Sequence, residues 1–289
     1  MSGTMSRKRV IGAILVVAAI GACGSRDAGR VTASFFNPEE VPLETYSAEQ
    51  IFERGEFELN RRQPQDAAFY FAEIERLYPY SEWAKRALIM QAFSYHQDQD
   101  YPNSRSAAQR FIDFFPDDDD AAYAQYLLAL SYYDQIDEVG RDQGLTFQAL
   151  QSLRQVIERY PNSEYASAAI LKFDLAFDHL AGKEMEIGRY YLRRNHYTAA
   201  INRFRVVVED FQTTTHTAEA LHRLVEGYLS LGLNPEAQTA GAILGHNYQS
   251  SEWYQDSYRL LTGQGLEPKF YKNNWLSAIF RQTIKGEWL

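Results

Sequence analysis

The chain has 289 residues, with 29 basic against 38 acidic side chains, a net charge of −9, one cysteine and 14% aromatic residues. That acidic balance repels nucleic acid and anionic lipid headgroups, and one cysteine excludes an intramolecular disulfide framework, so a domain of this length is held by its apolar core. P-loop, G-x-G-x-x-G, G-x-S-x-G and H-E-x-x-H patterns are all missing, which leaves no sequence basis for a cofactor or a metal.

Arg7, Lys8 and Arg9 precede the apolar run Val10 to Ile20, which is too short for a full membrane span and reads as an export signal; a start at Met1 or Met5 serves it equally. Gly21 and Ala22 lead straight into Cys23, with Ile20 three positions before it. This order resembles a bacterial lipobox. The resemblance implies that residues 1–22 are a lipoprotein signal peptide and that Cys23 becomes the lipid-modified N-terminus, attached by more than one acyl chain because one alone binds only marginally. Gly24 stands where an inner-membrane retention signal would place Asp, which points to the outer membrane. Without residues 1–22 the balance is 26 basic against 38 acidic, a charge of −12. No later stretch is apolar enough to span a bilayer. Residues 23–46 carry Gly, Ser, Pro38 and Pro42 without helical periodicity and read as an extended tether behind the acylated cysteine.

From Ser47 onward the pattern is helical, and one phrase recurs: an apolar helix ends in an aromatic residue, then Pro or Gln, then a short polar step into the next helix. The anchors are Tyr78, Phe115, Tyr160, Phe211 and Tyr248, separated by 37, 45, 51 and 37 residues. Eleven positions before each stand Ala67, Ser104, Ala149, Ala200 and Ala237, all small; Tyr95, Tyr132, Phe177 and Tyr228 recur in the helices that follow. Small residues let two helices cross closely while an aromatic ring fills the adjacent hole. The pattern resembles the tetratricopeptide repeat over residues 47–262, with Gly55, Ala92 and Ala129 at its small position on the first helix. It departs in spacing and in Gln212 and Gln249, which replace the closing proline. The expected fold is all-α, a superhelical solenoid of about five helix pairs plus a C-terminal helix.

Two insertions lengthen the repeat. The polar "DQIDEVGRDQGLTF" predicts a loop inside unit three, and "GKEMEIGRYYLRRNHYTAAINRF" keeps helical periodicity and predicts a lengthened hairpin in unit four. The tail, residues 263–289, begins with a turn-rich break and places Trp275, Ile279, Phe280, Thr283 and Ile284 on one side of a last helix. The acidic run Asp117 to Asp120 lacks the glycine and distal glutamate of a calcium loop and sits where carboxylates cap a helix start. His216 and His222, six apart, fall on different helical faces. Catalysis has no candidate residues.

A solenoid of helix pairs presents its first helices on an inner wall. In tetratricopeptide register those positions hold Phe52, Leu59, Phe93, His96, Tyr123, Tyr126 and Tyr133, a predicted groove for an apolar, aromatic-bearing peptide. Later in the chain, Tyr190, Tyr191 and Phe204 alternate with Arg193, Arg194, Arg203 and Arg205, a basic island in an acidic protein that suits a folded partner with carboxylates on its rim. The lipobox, the tether, the five aromatic-Pro-x-Ser-like junctions and "YYLRRNHYTAAINRF" together resemble the BamD family, non-enzymatic lipoproteins of the outer-membrane β-barrel assembly machinery. That resemblance implies a scaffold, without cofactor, on the periplasmic face of the outer membrane. Tyr190, Tyr191, Arg194, Asn202 and Arg203 match the family's segment that would face the periplasmic domains of the barrel-forming subunit BamA, beside the machinery's other lipoproteins. The first units would receive the C-terminal strand of unfolded outer-membrane β-barrel proteins. The rival reading, a tetratricopeptide lipoprotein serving cell-wall synthesis or a secretion apparatus, shares the fold and differs in partners.

Overall fold

The computed structural model describes residues 41–272 and 274–283, so Cys23, the signal segment and most of the tether lie outside the described residues. Residues 41–46, the described part of a first unit that ends at Tyr46, hold a 3₁₀ turn, Leu43–Thr45, closed by the Thr45 hydroxyl donating to the Pro42 carbonyl at 2.8 Å.

The second unit begins at Ser47 and is helical. Its helices are α1 (Ala48–Asn60), α2 (Pro64–Leu77), α3 (Glu82–Gln97), α4 (Tyr101–Phe114), α5 (Ala121–Tyr133), α6 (Gly144–Arg159), α7 (Glu164–Arg193), α8 (Tyr197–Asp210), α9 (Thr217–Ser230), α10 (Asn234–Asn247), α11 (Glu252–Gly263) and α12 (Trp275–Thr283). Each helix from α1 to α10 packs on the next, and α1 on α3, α3 on α5, α5 on α7 and α9 on α11, the nearest-neighbour pattern of an α-solenoid. Five pairs are complete. Helix α11 opens a sixth pair that is not closed, because α12 packs back on α10.

The recurring phrase has a local cause. Tyr78, Phe115, Tyr160, Phe211 and Tyr248 each end a second helix at φ between −124° and −133°, with the N–H still bonded to the carbonyl four residues earlier. Pro79, Pro116 and Pro161 follow three of them, and a proline pushes the preceding residue out of the helical region. Hydroxyls three residues beyond the anchor then tie the turn: Ser81, Ser163, Thr214 and Ser251 donate to the carbonyls of Tyr78, Tyr160, Phe211 and Tyr248 at 2.7–2.9 Å. Ser81 and Ser251 also accept from the N–H groups of Ala84 and Tyr254, capping α3 and α11, and Ser47 forms a full capping box with Gln50 on α1. At the fourth junction, where Gln212 replaces proline, its side-chain amide donates to the Glu209 carbonyl.

The expected helix cap at the acidic run is corrected. Asp120 precedes α5 without a side-chain cap bond, and Asp118 does the work: one oxygen accepts from the Asp120 N–H at 3.0 Å, the other from Lys85 on α3 at 2.6 Å. The run fixes a turn and joins units two and three.

Ala67, Ser104, Ala149, Ala200 and Ala237 have no exposed surface. On the first helices, Gly55 and Gly188 permit the closest approaches: an added Cβ would stand 2.6 Å from the Phe71 ring and 2.4 Å from the Phe204 ring. Buried side chains collect in successive clusters, one across α3 to α5, smaller ones across α5 to α7, and the largest from α7 to α12. The unit-three insertion is the loop Asp134–Gln143. The unit-four insertion is absorbed by α7, one unbroken helix of 30 residues.

Candidate interaction surfaces

Phe52 is 2% exposed and packs against Phe71 and Trp83 with ring centroids 5.2 and 5.0 Å away, so it belongs to the core of unit one and offers no groove surface. Phe93 does line open space. With Leu59, Asn60, Arg62, Pro64 and Gln97 it borders a cleft of about 630 Å³ at the mouth of units one and two. Arg62 in its rim holds φ +61° at the α1–α2 turn.

His96, on α3, bridges to unit three. Its Nε2 stands 3.2 Å from Asp134 Oδ2 without the angle of a hydrogen bond, and its ring meets Tyr101 edge-on at 5.6 Å. Burial pulls its pKa below the usual 6.5 against the opposing pull of Asp134, so the imidazole is neutral at pH 7. Tyr123 and Tyr126 of α5 both pack on Tyr165 of α7, at 5.1 and 5.5 Å. Burial pushes Tyr123 up to about 12, which keeps the phenol a neutral donor at any physiological pH. Tyr133 lies under the Lys172 ammonium, 4.3 Å from its ring centre. The predicted residues therefore divide among four places: a core (Phe52), a cleft (Phe93), the contact between units two and three (His96) and an aromatic wall (Tyr123, Tyr126, Tyr133).

Sequence reasoning stopped the predicted wall at unit three, yet Tyr165 of α7 packs on Tyr123 and Tyr126, and the tetratricopeptide register continues to Leu171 and Leu175. The register contained the signal, since Leu175 precedes Phe177 by two residues as Phe93 precedes Tyr95. Leu171 and Leu175 are 62% and 54% exposed.

The basic island is less basic than its sequence. Arg203 reaches Glu184 of α7 at 3.0 Å, Arg205 pairs with Glu209 at 2.6 Å, and Arg189 pairs with Glu219 at 2.9 Å. Arg203 and Arg205 diverge around α8, and Arg205 stacks under Trp275 at 4.4 Å, away from Arg203. At the end of α7, Tyr190 and Tyr191 meet edge-on at 5.5 Å and the Arg194 guanidinium covers Tyr190 at 4.4 Å. Tyr190, Arg194 and Asn202 are exposed, while Tyr191 leans on the core. What this rim presents is an aromatic, hydrogen-bonding edge with Arg194 stacked on Tyr190, an exposed Arg193 and a half-exposed, paired Arg203.

Among the described residues no group of three or more His, Cys, Asp or Glu could hold a metal ion, and no helix is long and apolar enough to cross a membrane.

The sequence profile of the YfiO family, described as "Outer membrane lipoprotein", matches residues 44–243, from the first turn into α10. The chain belongs to the YfiO family. Among its relatives are two proteins named "Outer membrane protein assembly factor BamD". The one from Caulobacter vibrioides is 46% identical over 258 residues, covering 89% of this chain and 82% of that protein. The one from Rickettsia prowazekii is 40% identical over 259 residues, covering 89% and 98%. A third protein of that name, from Neisseria meningitidis, is 27% identical over 224 residues, covering 74% and 84%. The YfiO/BamD relatives are named as assembly factors and not as enzymes. The family profile ends before α11 and α12, so the segment that stacks on Arg205 lies outside it.

Proposed function

We propose that this chain is the lipid-anchored scaffold subunit of the outer-membrane β-barrel assembly machinery, held on the periplasmic face by acylated Cys23. Its inner wall, from Phe93 and His96 to Tyr133, receives unfolded outer-membrane proteins, and the α7–α8 rim, with Tyr190, Tyr191, Arg194, Asn202 and Arg203, meets the periplasmic domains of BamA and neighbouring lipoproteins. The observation that carries this reading is the match to two assembly factors at 46% and 40% identity across 89% of the chain. The exposed aromatic rim at Tyr190 and the cleft at Phe93 supply the physical means: apolar rings with polar edges bury area at low entropic loss.

The test is a detergent-solubilised pull-down from the native envelope with the partners identified. Arg203→Glu is expected to lower BamA recovery about tenfold, on the order of one lost charge-assisted contact. Because the variant also sets two carboxylates against each other at Glu184, the swap Arg203→Glu with Glu184→Arg restores the internal pair and should still fail to recover BamA. Unchanged recovery with both variants overturns the rim assignment, and recovery of cell-wall or secretion components in place of BamA favours the rival scaffold.

A further inference from the structure

The two insertions that break the 37-residue repeat meet each other. The loop Asp134–Gln143 lies along α7 where that helix outruns a regular first helix: the Lys183 ammonium donates to the Gly140 carbonyl at 2.6 Å, and His179 Nδ1 is 3.1 Å from Gln143 Oε1. The loop and the turns of α7 just before its extension border a cleft of about 220 Å³ lined by Tyr133, Ile136, Asp137, Leu175, Ala176 and His179. Its floor is continuous with the buried cluster of Leu150, Ala176 and Leu180. Insertions in a repeat array tend to gather on a binding face.

The chemistry of the cleft is specific. Waters against Ile136, Ala176 and Leu175 lack good partners, so an apolar group gains by displacing them. Leu175 stands 54% exposed at the lip in the register position of Phe93, which places the cleft on the inner wall. The loop side of the cleft is acidic: Asp137 lines it, and Asp134, Glu138 and Asp142 stand in the same loop against Arg141 alone. Lys172 lies on the Tyr133 ring and Lys183 on the Gly140 carbonyl, while Asp137 is held by Arg141 at 3.2 Å in an exposed pair that an incoming cation can share.

We propose that this cleft is a subsite for one apolar side chain of an extended peptide whose neighbouring residue is cationic. The inference rests on the reading that the inner wall takes extended segments of unfolded barrel proteins, and it names the residue chemistry such a segment needs at units three and four.

The experiment uses the full chain purified in detergent and a fluorescein-labelled decapeptide of alternating apolar and polar residues with Phe followed by Arg, against the same peptide with Glu in place of Arg. The Arg peptide is expected to bind about tenfold tighter, each tenfold being ~1.4 kcal/mol. Leu175→Ser should weaken it about fivefold, and Asp137→Asn should erase the preference; far-UV circular dichroism checks that the variants stay folded. If Leu175→Ser binds as the parent does while Phe93→Ser loses the peptide, the subsite falls and the inner wall stands. If neither variant matters, or no peptide binds, both fall. Equal binding of the Arg and Glu peptides overturns the charge argument and the proposal with it. So does a Leu175→Ser variant that loses a folded partner in the pull-down while keeping the peptide, since the cleft would then belong to that interface.

Discussion

Replacing Gly188 with Ala tests whether the unit-four hairpin is as tightly crossed as the structure shows. An ideal Cβ there stands 2.4 Å from Phe204 Cε1 and 2.8 Å from Cδ1 and Cζ, while carbon atoms rest at about 3.5–4.0 Å. The ring must therefore retreat by roughly 1 Å. It has nowhere to go, because Phe204 is fully buried in the cluster that includes Ala181, Met185, Ala200 and Leu221. Overpacking of this kind costs about 1–3 kcal/mol, and the alanine returns about 1 kcal/mol of helix propensity, which leaves a net loss of about 1 kcal/mol. Urea unfolding followed by circular dichroism should show the midpoint falling by roughly 0.5 M with an unchanged slope. Gly263→Ala is the matched control: nothing lies within 4 Å of its Cβ position at the end of α11, so it should be neutral or slightly stabilising. Adding Phe204→Leu to Gly188→Ala should recover part of the loss, the signature of two residues in contact. A Gly188→Ala protein as stable as its parent would refute the crossing geometry.

Two further outcomes follow from the last units. His222 is buried between α9 and α11, with Nδ1 2.9 Å from the Ser257 hydroxyl, its ring 5.3 Å from Trp253, and Glu226, Glu219, Asp256 and Arg223 around it. Burial holds its pKa below the usual 6.5, so the unfolded chain binds the extra proton first as pH falls. The stabilisation is complete above about pH 6.5 and is lost as pH drops toward the lowered folded value; His222→Gln should flatten that limb of a urea-midpoint series from pH 7.5 to 5, and an unchanged slope would remove His222 as its source. Trp275 docks α12 by donating from Nε1 to the Tyr228 hydroxyl at 2.9 Å and by stacking on Arg205. Trp275→Ala leaves the buried Tyr228 hydroxyl unpaired, costing about 1–3 kcal/mol, and should speed limited proteolysis between Gly265 and α12 about tenfold or more, with Trp275→Phe intermediate; cleavage at the parent rate would mean that the ring does not fasten the tail.

The amino-acid sequence by itself determined the periodic part of this protein. Proline after an aromatic residue, a hydroxyl three positions on, and a small residue eleven positions before act through the backbone within a few residues or at a fixed repeat distance, so they are legible along the chain and give the helix pairs, their junctions and their close crossings. Whether a particular exposed-looking residue faces a partner or a neighbour was decided only by the tertiary structure, because that depends on chain segments far apart in sequence. Phe52 disappears under Trp83, thirty-one positions away; Arg203 and Arg205 of the basic island find Glu184 and Glu209; the two insertions close on each other at Lys183 and Gly140. The tail shows the same division. Its helix was readable from spacing, but its seat was not, since the backbone N–H of Lys269 and the side chain of Tyr271 bond to Gln238, and Trp275 reaches Tyr228 and Arg205, across more than thirty residues of chain. Local patterning fixes which elements form, while desolvation and charge pairing between distant elements select the surface that remains for partners.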